Sequence, residues 1–172
     1  MSSPSVRELI DSHYQPLYRY AYRLSGSAAD AEDLTQETFG KAIQRLAQLR
    51  AADRVKPWLF RILRNEYLRR VRDDRRHRLT PIEQLGEIPE PPADPPQEVD
   101  PATLQAVLNE LDETFRTPLI LYYFEDFSYR DIADQMELPI GTVMSRLARA
   151  KAHLRVKLSS PAELNGRPVE GD

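Results

Sequence analysis

The sequence contains no cysteine. That excludes a disulfide framework, a thiolate metal site, a cysteine nucleophile and direct thiol sensing by this chain. Its three histidines, His13, His77 and His153, lie too far apart to form a metal-ligand pair. The six glycines are scattered, so there is no Gly-rich phosphate loop, and no serine sits in a nucleophile-elbow pattern. No catalytic, metal or cofactor constellation is left, and the expectation is a protein that is not an enzyme. No apolar run approaches the roughly eighteen residues of a membrane span. Residues 1–10 lack an apolar signal core, so a cytoplasmic protein without membrane insertion is expected. A sustained period of two is also missing, which argues against a sheet.

What is present is charge, unevenly placed. The 172 residues carry 24 Lys and Arg against 27 Asp and Glu, a net charge of −3. Residues 1–78 hold 16 basic and 10 acidic side chains; residues 79–114 hold no basic and 9 acidic ones. Residues 115–158 return to a basic balance, 7 against 5, and residues 159–172 are mildly acidic. The small total therefore hides two basic blocks separated by an acidic one, and does not argue against nucleic-acid binding. Seven of the fourteen prolines fall between Pro81 and Pro101. Proline lacks a backbone N–H and disfavours helix in the residue before it, so residues 87–101 read as an extended linker. The expected organisation is a first domain over 1–78, a linker over 79–101, a second domain over 102–158 and a flexible tail over 159–172.

Both halves read as helical. Val6, Leu9, Ile10, Tyr14, Leu17, Ala21 and Leu24 recur at steps of three and four, the spacing of one helix face. Ser25, Gly26 and Ser27 mark a stop and restart. Leu34, Thr38, Ala42, Ile43 and Leu46 form the next stripe. Pro57 suits the first turn of a third helix, whose apolar side is Trp58, Leu59, Ile62, Leu63, Tyr67 and Leu68. In the second half Leu104, Val107, Leu108 and Leu111 mark one helix. Pro118 is read as the first turn of another, carrying residues 119–124.

Residues 127–158 carry the most information. Ser128 and Asp131 form a capping-box-like start for a short helix with Ile132, Ala133 and Met136 turned inward. Residues 137–141 break it, and Thr142 is read as the cap of a longer helix from Val143 to about Leu158. A short helix, a tight turn and a longer basic helix make a helix-turn-helix pattern. In the last helix Val143, Leu147, Ala150, Leu154 and Leu158 share the buried face, while Thr142, Ser145, Arg146, Arg149 and His153 point elsewhere. Hydroxyl and guanidinium groups on the first turns suit major-groove base edges; Lys151, Arg155 and Lys157 further along suit phosphates. The plain alternative is a solvated basic face.

The ordered motifs resemble a known family. Residues 30–39 (DAEDLTQETF), 57–65 (PWLFRILRN) with 69–72 (RRVR), and 127–133 (FSYRDIA) with 139–150 (PIGTVMSRLARA) together resemble an extracytoplasmic-function, or group IV, RNA polymerase sigma factor. The resemblance implies an all-α fold of two small helical domains, a region 2 bundle and a region 4 helix-turn-helix, joined by the Pro-rich acidic linker. It implies core RNA polymerase and promoter DNA as partners, and an anti-sigma factor as a regulator. Asp33, Gln36 and Glu37 would meet core polymerase. Arg50, Arg54 and Lys56, on the loop before the third helix, would join Arg61 and Asn65 at the −10 element. Thr142, Ser145, Arg146 and Arg149 would read the −35 element.

Each assignment has a plainer counterpart. Glu37 and Lys41 are also an ordinary i,i+4 surface pair, worth about 0–1 kcal/mol. Trp58 could stack on a base, but its place in the apolar stripe favours the core. The acidic linker either mimics nascent RNA in a polymerase channel or is a soluble spacer. The family usually has Gly where this chain has Glu137, so a positive φ there would cost on the order of 1 kcal/mol. A helix-turn-helix regulator that never joins polymerase would account for 102–158 alone. A sigma mimic that titrates an anti-sigma factor would not need the basic block.

Overall fold

A computed structural model describes residues 4–49, 54–77 and 99–159. Among these residues there are seven α-helices and one short 3₁₀ turn, and no strand. The helices are α1 (Val6–Ser25), α2 (Ala28–Arg45), α3 (Val55–His77), α4 (Pro101–Glu110), α5 (Glu113–Tyr123), α6 (Tyr129–Met136) and α7 (Ile140–Ser159). The chain forms two compact units: one holds α1 to α3 with residues 134–137 at the end of α6, the other α4, α5, the start of α6, and α7. Residues 79–98 of the expected linker and the tail beyond Ser159 lie outside the described residues.

Local chemistry sets the helix ends of the first unit. The Ser5 hydroxyl accepts the Glu8 N–H at 3.2 Å, and the Glu8 carboxylate accepts the Ser5 N–H at 2.9 Å, a complete capping box. Gly26 ends α1 in the left-handed region, φ 69°, and donates its N–H to the Tyr22 carbonyl. Ser27 then caps α2 by accepting the Asp30 N–H at 3.3 Å. All three helices pack on one another. Leu9, Leu17, Leu24, Leu34, Leu59 and Leu63 are buried between them, with Tyr20 stacked on Phe60 at 4.8 Å between ring centroids. The stripes hold in their middles and fail at two edges: Val6 and Ile43 are each 40% exposed. Residues at the end or margin of a stripe extend past the neighbouring helix, and periodicity alone does not show where that neighbour stops.

In the second unit Asp100 caps α4 through the Thr103 N–H at 3.1 Å, with Pro101 in the first helical position. The reading of Pro118 as a helix start is wrong. α5 begins five residues earlier, because the Asp112 carboxylate accepts the Thr114 N–H and the Asp112 carbonyl accepts the Arg116 N–H at 2.9 Å. Pro118 lies inside the helix, where the missing N–H leaves only the carbonyl one turn back without its helical donor. The Arg116 guanidinium donates to the Leu111 carbonyl at 2.6 Å and so ties the end of α4 to α5. α7 packs on both α5 and α4, burying Val143, Leu147, Ala150 and Leu158 as its spacing predicts, while Leu154 of the same stripe is only half-buried.

Candidate nucleic-acid interface

The expected polymerase-contact face of α2 divides in two. Asp33 and Gln36 are exposed, and Gln36 donates to the neighbouring Glu32 carboxylate. Glu37 is half-buried and engaged by α3: its two carboxylate oxygens accept from Arg69 at 2.8 Å and Arg70 at 2.9 Å, with Lys41 at 3.9 Å. The three residues are therefore one helix turn apart but not equally available.

At the centre of this network is Glu66, which the motif reading passed over. It is buried on α3, and its carboxylate accepts from Lys41 of α2 and, at 2.8 Å, from Arg69. Burial by itself would raise its pKa, but the Lys41 and Arg69 hydrogen bonds outweigh it and hold the group at about 2, below the ordinary 4.5. Five charged side chains thus lock α2 to α3. Glu66 and Arg69 at i,i+3 were readable as a local pair; the tie to Lys41, 25 residues away, needed the packing.

Of the expected −10 residues, Arg50 lies outside the described residues. Arg54 is exposed just before α3. Lys56 is half-buried and stands over the Phe60 ring at 5.6 Å, so its cation sits against the bundle. Arg61 and Asn65 are both exposed, one turn apart and on one face. Trp58 is half-buried, consistent with its place beside the core. The structure thus groups Arg61 with Asn65 and sets Lys56 apart from them.

The turn between α6 and α7 is built as its residues suggest, with one shift. Ser128 and Asp131 exchange hydrogen bonds at 3.1 and 3.3 Å. Glu137 takes φ 55°, and the Leu138 N–H reaches back to the Ala133 carbonyl at 3.0 Å, closing the end of α6. A glutamate therefore occupies a position suited to glycine, at a cost of roughly 1 kcal/mol. The shift concerns the start of the next helix. The Pro139 carbonyl accepts from Thr142 at 3.0 Å and Val143 at 3.2 Å, so α7 starts at Ile140 and Thr142 lies within its first turn rather than capping it. No acidic residue occupies that first turn, which leaves the positive end of the helix dipole uncompensated by its own side chains.

The outward side of α7 presents Met144, Ser145, Ala148 and Arg149, all exposed. Thr142 and Arg146 are half-buried beside them. Arg149 lies over the Phe115 ring at 5.9 Å. His153 does not turn outward: it packs 3.5 Å from the Glu110 carboxylate of α4, which Lys157 approaches at 3.8 Å. Lys157, expected at a phosphate, is thus committed to α4, and Lys151 stands over the Tyr123 ring at 5.8 Å. The first three turns of α7 form the presented surface. Among the described residues there is no cluster of His, Asp or Glu fit to hold a metal, and no helix long and apolar enough to cross a membrane.

Comparison with known proteins agrees with this geometry. Residues 9–77 match the family Sigma-70 region 2, and residues 102–154 match Sigma-70, region 4. The chain is 38% identical over 157 residues to the ECF RNA polymerase sigma factor SigE of Mycolicibacterium smegmatis, covering 88% of this chain but 61% of that relative's length. It is 34% identical over 161 residues to the ECF RNA polymerase sigma factor SigL of Mycobacterium tuberculosis, covering 89% of this chain and 88% of the relative. The solved structure of the sigma factor RpoE with the anti-sigma factor NepR from Bartonella quintana superposes with a TM-score of 0.74 at 30% identity, covering 90% of this chain and 97% of that one. With both regions matched in order, and each match falling on one of the helical units, the chain belongs to the family of ECF RNA polymerase sigma factors.

Proposed function

We propose that the protein binds core RNA polymerase, recognises −35 and −10 promoter elements and promotes transcription initiation, acting in the cytoplasm and not as an enzyme. The observation that carries this reading is the pairing, on one chain, of a region 2 match over 9–77 with a region 4 match over 102–154. A regulator that only bound DNA would leave the first without a role. We take the first domain as 1–78, the linker as 79–101, the second domain as 102–158 and the tail as 159–172. Asp33 and Gln36 offer polymerase an exposed acid and amide, and Glu37 joins them by exchanging Arg69 and Arg70 for a polymerase partner. Arg61 and Asn65, with Arg50 and Arg54 from the preceding segment and Lys56 from the first turn of α3 rather than the loop before it, contact the −10 region. The basic block 50–78 supplies salt-sensitive affinity for it.

On α7, Ser145 and Arg149 reach base edges, and Thr142 and Arg146 flank them. By analogy with the solved sigma factor bound to NepR, an anti-sigma factor holds the free protein inactive. Run-off transcription from a cognate promoter with purified core polymerase tests the proposal. Core polymerase plus this chain should give a defined transcript that core alone does not. DNA binding without co-purification with core would instead identify a regulator that never joins polymerase.

A further inference from the structure

α7 carries a feature that the hydroxyl and guanidinium contacts do not use. Ile140 is 42% exposed and Met144 50% exposed. Residues 140, 144 and 148 are spaced by four, and each step drifts by roughly 40° on a helix of 3.6 residues per turn. Ile140, Met144 and Ala148 therefore form one apolar ridge along the flank of the outward side, with Ser145 next to it. The buried face of α7 centres on Val143, Leu147 and Ala150; the ridge borders it, with Ile140 nearest and Met144 roughly 60° round from Leu147, so the outer half of the Met144 side chain is left to solvent. Gly141 lies beside it, and a methyl group added there would meet nothing within 4 Å.

We propose that Met144, flanked by Ile140 and Ala148, is a specificity-determining residue that reads thymine methyl groups in the upstream promoter element. The inference rests on the reading of α7 as the helix that enters the major groove. In that groove the only apolar group on any base pair is the thymine C5-methyl. A long, unbranched thioether with three rotatable bonds can follow such a methyl where a stiffer side chain could not. The surroundings favour DNA over a protein partner as the occupant. Lys151 and Arg155 follow along the ridge's own flank and Arg149 is exposed further round the helix, and α7 carries no acidic side chain between Ile140 and Ser159. Such a surface suits a polyanion with methyl groups on its floor.

The test uses the full chain assembled with core polymerase. Duplexes with a randomised upstream cassette are selected for binding, and each thymine of the selected site is then replaced by deoxyuridine, which removes the methyl alone. At one or two positions this replacement should weaken binding about fourfold, the value of one buried methyl. Met144→Ala should show the same loss on the thymine duplex and no further loss on the uracil one, while Met144→Leu keeps most of the sensitivity. Uniform tolerance of deoxyuridine, or a Met144→Ala loss equal at every position and in scrambled DNA, overturns the proposal. A Met144→Ala defect seen only when an anti-sigma factor is added overturns it too, and makes the ridge a protein-docking surface. Failure to select any sequence from the cassette would reject the sigma reading itself, a different result. Unchanged thermal melting of both variants checks that folding is intact.

Discussion

The two helical units use cationic side chains in opposite ways. In the first, Arg69, Arg70 and Lys41 are drawn into a network with Glu37 and Glu66 that joins α2 to α3. In the second, the first three turns of α7 turn Ser145 and Arg149 outward and leave Met144 and Ala148 beside them, while the side chains set against an acid lie further along, at His153 and Lys157. Position on a helix thus decides whether a basic residue holds the fold or faces a partner. A count of basic residues does not separate the two uses.

The contrast can be tested, and the largest effect is expected in the core. Phe60→Ala removes the ring stacked on Tyr20 and should destabilise the first unit by about 3–5 kcal/mol. Denaturant melts should show this as a matching loss of stability; an unchanged midpoint would show that the ring pair contributes little. Arg149→Ala should cost about 1–3 kcal/mol on the cognate upstream element, measured by competition binding. An equal loss on scrambled DNA would make Arg149 a phosphate contact.

The network itself makes a pH prediction. Glu66 is held at about 2 in the folded chain against an ordinary 4.5. A depressed carboxylate adds stability that is fully present above the unfolded value and is lost as pH falls through the folded one. Stability of the first unit should therefore decline as pH drops from about 4.5 toward 2, and Glu66→Gln should flatten that decline while lowering stability at neutral pH. A variant with an unchanged acid profile would show that these charges are solvated rather than structural. Smallest is Glu137→Gly, which relieves a positive φ and should raise stability by about 1 kcal/mol. No change in melting temperature would mean that the glutamate is not strained.

Much of this was legible before the fold was known. The stop at Gly26, the Ser128 and Asp131 cap, and the buried stripe of α7 follow from neighbours within one or two turns. The helix starts were less legible. Asp112 and Pro139 begin α5 and α7 with carbonyl and carboxylate groups that compete with the more conspicuous Pro118 and Thr142, and only backbone geometry shows which acceptor wins. The candidate −35 residues kept their neighbourhood on α7, whereas Lys56, His153 and Lys157 turned toward protein partners. Long side chains reach either way, and their choice depends on what another helix places within reach.

By itself, the sequence determined the all-α class, two basic segments flanking an acidic one, and the order of motifs, because helix periodicity, proline chemistry and capping act over a few residues. Tertiary structure alone decided that Glu37 is engaged by α3, that Glu66 is a buried acid held near a pKa of 2, and that Met144 is left outside the core. Each of those depends on desolvation and on partners far along the chain. Burial and charge pairing are properties of the space between helices, which a linear pattern does not contain.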